Sequence, residues 1–262
     1  MTDTPAKDGP HYESANEAIA DEGSHTGLAD AIAAQGGMAS AERNFTAPNK
    51  GGENVDWDRL EYVSDEIVVL KDPMSARAAD LRRLAQKLAV QWFLGDEVRC
   101  ALSIISADRG EGRTTVATNL ACVFAQAGAR TLLIDADLYN PTVHRNLGVE
   151  EVSQEMAGNP VPTSLRNLFA LSCSKDLGLD HDLFMRSTMS MLIETHKKNF
   201  DLILVDTNAA SISDDYLFAA LSTGGAVVAT REGVTKVKSA ARMLNRCEDA
   251  GVRIVGGTML KK

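Results

Sequence analysis

No apolar run in this 262-residue chain reaches the roughly 18 residues needed to span a bilayer, and residues 1–20 hold no apolar signal core. The sequence therefore predicts a cytoplasmic protein. Cysteine is scarce. Cys100, Cys122, Cys173 and Cys247 stand far apart, with no CxxC pair and no zinc-ligand spacing. Free buried thiols in a reducing compartment are the expected reading. Positive charge is not in excess either: the formal charge is −9, which argues against a general nucleic-acid binder. Internal repeats are absent.

What is present divides unevenly. Residues 1–56 carry 10 acidic and 3 basic residues and only eight large apolar ones (Met1, Tyr12, Ile19, Leu28, Ile32, Met38, Phe45, Val55). So few apolar groups cannot offset the entropy of ordering that segment, and it is expected to be a disordered acidic tail. Within it, Leu28 to Ile32 has the spacing of a transient helical turn or a docking motif. Residues 57–262 are expected to form one domain.

In that domain, strand and helix patterns alternate. Leu81, Leu84, Leu88 and Trp92 recur at helical spacing over 76–94. Apolar strands are expected at 98–105, 131–134, 202–205, 226–230 and 252–260. Helices are expected at 113–128, 182–199, 214–223 and 235–250, the last with Val237, Ala241, Leu244 and Cys247 inward. Residues 138–181 carry a weak pattern, read as loops with one short helix around 163–171. Continuous apolar strands separated by helices predict an α/β fold with a mainly parallel sheet and helices on both faces. Ligands of such folds bind at the carboxyl ends of the strands.

Three chemical groups fall at such ends. The first is the run Ser106 to Thr115, SADRGEGRTT. Against the phosphate-loop pattern GxxxxGK[ST], Ala107 takes the first glycine position and Arg113 the lysine position. Gly110 and Gly112 let the backbone turn its N–H groups toward an anion, and the following helix adds its N-terminal dipole. The candidate nucleotide contacts are Gly110, Glu111, Gly112, Arg113, Thr114 and Thr115, with the Thr114 hydroxyl placed for Mg²⁺. The second group is Asp135 with Asp137, spaced to hold Mg²⁺ through water or to activate a nucleophile. The third is Asp206, positioned as a magnesium-organising carboxylate.

At these motifs the chain resembles the bacterial tyrosine autokinases of capsule and exopolysaccharide synthesis, which share a phosphate-loop class with the septum-site and chromosome-partition ATPases. The resemblance covers roughly residues 60–260. It rests on ISADRGEGRTTVATNLACVFAQAGARTLLIDADLYNPTVH, on FDLILVDTNAASISDD and on REGVT at 231–235. Glu111 between the two glycines points toward the polysaccharide kinases. The resemblance implies a phosphate-loop NTPase fold and ATP or ADP with Mg²⁺. It implies that Thr114, Asp137 and Asp206 organise the metal, that Asp135 assists the attacking hydroxyl, and that Asp215 is a matching downstream acid. It also implies work at the inner face of the plasma membrane beside a membrane-embedded polysaccharide chain-length or export protein, and an intact kinase as a further partner.

The departures bear on activity. Arg113 replaces the catalytic lysine, Tyr139 an arginine, Asn208 and Ala209 a Pro-Pro pair, and Lys261 an asparagine near the base. Of the Glu-x-x-Arg-x-x-Arg assembly helix only Arg82 remains, between Ala79 and Ala85. The stretch 145–181 is short, and the C-terminal tyrosine cluster is absent. An arginine is bulkier than a lysine and presents a planar fork, so it is expected to crowd the loop or sit differently. A nucleotide-binding regulator with weak or no kinase activity is the leading expectation. An active tyrosine kinase or ATPase, and a partition-type switch ATPase, are the alternatives.

Overall fold

A computed structural model describes residues 63–94, 99–149, 159–173 and 181–261, the side chains of 181–187 excepted. The Leu28–Ile32 motif and the expected domain start at Trp57 lie outside the described residues.

Seven strands form one sheet in the order β3-β4-β2-β5-β1-β6-β7. They are β1 (Ala101–Ile105), β2 (Thr131–Asp135), β3 (Val161–Pro162), β4 (Leu168–Ser172), β5 (Leu202–Asp206), β6 (Gly225–Arg231) and β7 (Arg253–Leu260). All neighbouring pairs run parallel except β3 with β4. The helices are α1 (Val68–Lys71), α2 (Ala76–Leu88), α3 (Arg113–Gln126), α4 (Val143–Asn146), α5 (His181–His196), α6 (Asp215–Thr223) and α7 (Val237–Asp249). A π-helical turn at Ala89–Phe93 continues α2.

The central strands are buried on both faces, and alternation sorts their side chains. Leu102, Ile104, Leu133 and Leu204 pack with α2 and α3 on one face. Leu132, Ile134, Ile203 and Val205 pack with Met189, Ile193 and Ala219 of α5 and α6 on the other. This is the expected α/β architecture with helices on both sides. Trp92 anchors the π turn: it is fully buried and its indole N–H donates to the Ala101 carbonyl at 2.9 Å. Among the described residues no helix is long and apolar enough to cross a membrane.

Two expectations are corrected. The segment around 163–171 is not a helix but the β3–β4 hairpin, and β4 pairs in register with β2 from Thr131↔Leu168 to Asp135↔Ser172. Asn167 sits at φ +67, which breaks a helix there, and the open edge of β2 supplies backbone partners. On α7 the inward stripe is rotated. Met243 and Cys247 are buried and pack with Ala240 and Leu244, whereas Val237 is 82% exposed and Ala241 is also exposed. The i, i+3, i+4, i+7 set that meets the sheet starts at Ala240, because Val237 begins the helix beyond the sheet's cover.

Candidate active site

Strands β1, β2 and β5 lie side by side, and their carboxyl ends bring the three motifs together. Asp135 and Asp206 are register partners on β2 and β5, and Asp206 is level with Ile104 of β1. The loop 106–112 leaves β1 and enters α3.

The loop turns on glycine. Gly112, the residue before α3, has φ +88, in the left-handed region. A Cβ there would stand 2.2 Å from Leu260 Cδ1, so a side chain would strain the left-handed backbone and displace the end of Leu260. Gly110 is also left-handed at φ +77. Glu111 between them is fully buried. One of its carboxylate oxygens accepts the Asp108 N–H at 3.0 Å, and the other has no partner.

Arg113 folds back into the loop and is 8% exposed. Its Nε donates to the Thr207 carbonyl at 2.8 Å, and Nη1 donates to Ser106 Oγ at 2.6 Å and to the Asp108 carbonyl at 3.3 Å. Its Nη2 lies 3.6 Å from Asp137 Oδ2. One planar fork thus ties together the phosphate loop, the end of β5 and the loop after β2. A single lysine ammonium cannot span these acceptors in the same plane.

Thr114 and Asp206 form the second contact. The Thr114 hydroxyl donates to Asp206 Oδ2 at 2.6 Å, while Asp206 Oδ1 is buried without a partner. Asp206 is fully buried, and burial together with the neighbouring Asp135 charge pushes its carboxyl up to about 8. Burial likewise raises Asp135 to about 7, against the pull of backbone N–H donors. Burial thus favours the neutral forms of both acids.

Asp135 and Asp137 divide their tasks. Asp135 accepts three backbone N–H groups: Asp137 on one oxygen at 3.2 Å, and Thr142 and Val143 on the other at 2.8 and 3.0 Å. It thereby organises the loop 136–143. Asp137 takes the Tyr139 and Asn140 N–H groups on Oδ1 and faces Arg113 with Oδ2. Asp215 sits apart from this group, held by the Ser213 hydroxyl at 2.6 Å.

Sequence reasoning missed the brace behind the loop. Thr115 Oγ1 donates to Glu66 Oε2 at 2.5 Å, and Asn119 bonds the Glu66 carbonyl and the Val69 N–H. Glu66 lies 49 residues before Thr115 in no motif, so nothing local marks it. Ser106, the first residue of the loop run, and Thr207, just past β5, receive Arg113, a role that no sequence pattern marked.

A sheet of this order, with a glycine loop entering a helix from β1 and a carboxylate ending the adjacent β5, defines a phosphate-loop NTPase. Residues 97–258 match the ParA family, described as NUBPL iron-transfer P-loop NTPase. The chain belongs to the ParA family of phosphate-loop NTPases. Among its relatives, the tyrosine-protein kinase CpsD of Streptococcus pneumoniae is 27% identical over 172 residues, covering 62% of this chain and 75% of that protein. The kinase domain of the Escherichia coli tyrosine kinase ETK superposes with a TM-score of 0.64 at 22% identity, covering 79% of this chain and 88% of the other. The septum site-determining protein MinD of Pyrococcus horikoshii OT3, solved with Mg-ADP, gives 0.51 at 24% identity, covering 61% and 69%.

Proposed function

We propose that this chain binds Mg-ATP or Mg-ADP at the 106–115 loop and serves as a kinase-like regulator of capsule or exopolysaccharide synthesis and export, with weak or no tyrosine kinase activity. The observation that carries the reading is the state of Arg113. Its donors are taken by Thr207, Ser106, Asp108 and Asp137 of its own chain, so the group in the lysine position is not presented to a γ-phosphate. The fold is that of the family.

The residues present fit a magnesium ion. Asp206 Oδ1 is a buried carboxylate oxygen without a partner, beside a threonine hydroxyl at the start of a helix. Thr114 and Asp206 would hold the ion, with Asp137 once released from Arg113. When bound, the ion supplies charge neutralisation on the phosphate oxygens and restores the ionised form of Asp206. The chain's own groups do the rest. The N–H groups of residues 110–115 bind phosphate oxygens at the N-terminus of α3. Glu66 and Asn119 hold that helix end in place. Asp135 fixes the loop that carries Asp137 through three backbone N–H groups.

The partners proposed are the cytoplasmic tail of a membrane-embedded chain-length or export protein and an intact kinase. Both follow from the resemblance and would place the protein at the inner face of the plasma membrane. Calorimetry with Mg-ADP and phosphate release from Mg-ATP test the reading. Micromolar binding with turnover far below once per minute supports it. No binding at millimolar nucleotide refutes the nucleotide site, and rapid tyrosine phosphorylation of a protein substrate refutes the regulator assignment.

A further inference from the structure

Strand β7 ends the sheet, and no strand lies beside it among the described residues. Its run Ile254 to Leu260 holds no charge and no proline, the devices that ordinarily protect an open edge. Thr258 turns its carbonyl inward to accept the Thr230 hydroxyl at 3.0 Å, and the Leu260 carbonyl accepts the Glu232 N–H at 2.9 Å. Backbone groups alternate in direction along a strand, so Gly257 and Met259 present their N–H and C=O groups on the outer edge. Both residues are exposed, Met259 by 60%.

The register with β6 sorts the two faces of this edge. Gly256 and Thr258 pair with Val227 and Ala229, on the face covered by α2. Ile254 and Gly257 pair with Ala226 and Val228 on the opposite face, which α7 covers, and Met259 falls on that face too. On the α2 side the edge borders a groove of about 590 Å³. A Cβ at Gly256 would first meet Leu84 Cδ1, at 3.9 Å, and one at Gly257 would meet only Val228, so another backbone can come close. The rim of the groove is basic. Arg77, Lys87 and Lys261 are exposed and make no ion pair among the described residues, while the one acid in the lining, Asp80, is bound by Arg83.

We infer that the open edge of β7 is a docking site for an extended acidic segment of a partner protein, which adds to the sheet as a further strand. The segment's backbone pairs with the N–H and C=O groups of Gly257 and Met259. Its side chains alternate, so one set lies over Gly256 and Leu84 on the α2 face and the other against Ile254 and Met259 on the α7 face. Its carboxylates meet Arg77, Lys87 and Lys261. Charge selects this occupant. The chain carries −9 overall, yet this rim holds cations without counter-ions and no acid that is free to pair with them. A second copy joined edge to edge by a two-fold axis would set the same cations against one another. None of residues 106–115 lines the groove, so this docking surface holds whether or not nucleotide binds.

The probe is a short acetylated peptide with alternating valine and threonine at its centre and glutamates at both ends, added to the full chain. Amide exchange followed by NMR should show Gly257 and Met259 slowed about tenfold at millimolar peptide, while Thr258 and Leu260, whose backbone groups already face β6, stay unchanged. The same peptide N-methylated at its central residues cannot donate to a strand edge and should have no effect. Lys87→Glu combined with Lys261→Glu should weaken peptide binding about tenfold, and high salt should weaken it in the wild type. Both positions are exposed, so the variant keeps its melting transition. Unchanged exchange of Gly257 and Met259 at millimolar peptide overturns the inference, as does equal binding of the N-methylated peptide or by the charge-reversed chain. Slowing that appears without peptide and grows with protein concentration also overturns it, because the occupant is then a second copy.

Discussion

Replacing Asp206 with asparagine should make the ligand-free protein more stable at pH 8 and change it little near pH 4.5. Asp206 is fully buried, and its carboxyl is held up to about 8 by burial and by Asp135. In the unfolded chain the same group ionises near pH 4. Between those values the unfolded state gives up a proton that the folded state keeps. Stability from this group is therefore full below about pH 4 and is lost progressively as pH rises toward 8. Asparagine imposes the neutral form at every pH. It keeps one oxygen to accept the Thr114 hydroxyl and removes the carboxyl whose ionisation burial and the Asp135 charge oppose. The ion pair of Arg113 with Asp137 is untouched. Because Arg113 and Thr114 already favour the charged form, the gain at pH 8 is about 1–3 kcal/mol rather than the full cost of burying a carboxylate. For a domain of this size that is a rise in melting midpoint of roughly 3–10 °C. Scanning calorimetry of both proteins from pH 4.5 to 8.5 without divalent cations gives the comparison. Adding Mg-ADP should reverse the order, because only the wild type offers a carboxylate to the ion. A variant less stable than wild type at pH 8, with the deficit growing as pH rises, would show that the ionised carboxylate is favoured in the fold and would refute the reasoning.

Arg113→Lys should tighten Mg-nucleotide binding or raise turnover, because the lysine cannot hold Thr207, Ser106 and Asp137 together and is freed toward phosphate. Turnover lost on that change would mean that Arg113 is itself the working group. Gly112→Ala should lower stability by about 2–5 kcal/mol, from a left-handed φ of +88 and a Cβ placed 2.2 Å from Leu260 Cδ1; a chemical denaturation midpoint within error of wild type argues against this. A chain beginning near Gly51 should keep its fold, with a melting midpoint within about 4 °C of the full chain; a fall beyond 10 °C would place part of the core in the acidic tail. Mass spectrometry after incubation with ATP should find little tyrosine phosphorylation. Of the two tyrosines among the described residues, Tyr216 is fully buried and its hydroxyl has no hydrogen-bond partner. Substantial multi-site modification would overturn the regulator reading.

The alternation of β1, β2, β5, β6 and β7 with helices, the mainly parallel sheet and the loop at the end of β1 were legible in the sequence alone. Long apolar runs such as Leu202–Val205 have few structural solutions, and a glycine pair before a helix has a local backbone consequence wherever it occurs. Asp135, Asp137 and Asp206 could be placed at strand ends for the same reason. Tertiary structure decided what depends on partners distant in sequence. The run Leu168–Ser172 has no helix or strand preference strong enough to stand alone, and the edge of β2 made it a strand. The inward stripe of α7 depends on where the sheet stops covering it, so Ala240 and Met243 turned inward where Val237 and Ala241 were expected. The surroundings of the acids also diverged only in three dimensions: Asp135 accepts three N–H groups of the turn it organises, while Asp206 keeps one oxygen unpartnered. The conformation of Arg113 is the clearest case. Its identity in the loop was plain from the sequence, but its engagement by Thr207 and Asp137, 94 and 24 residues away, exists only because β5 and then β2 lie beside β1 on one side of the loop.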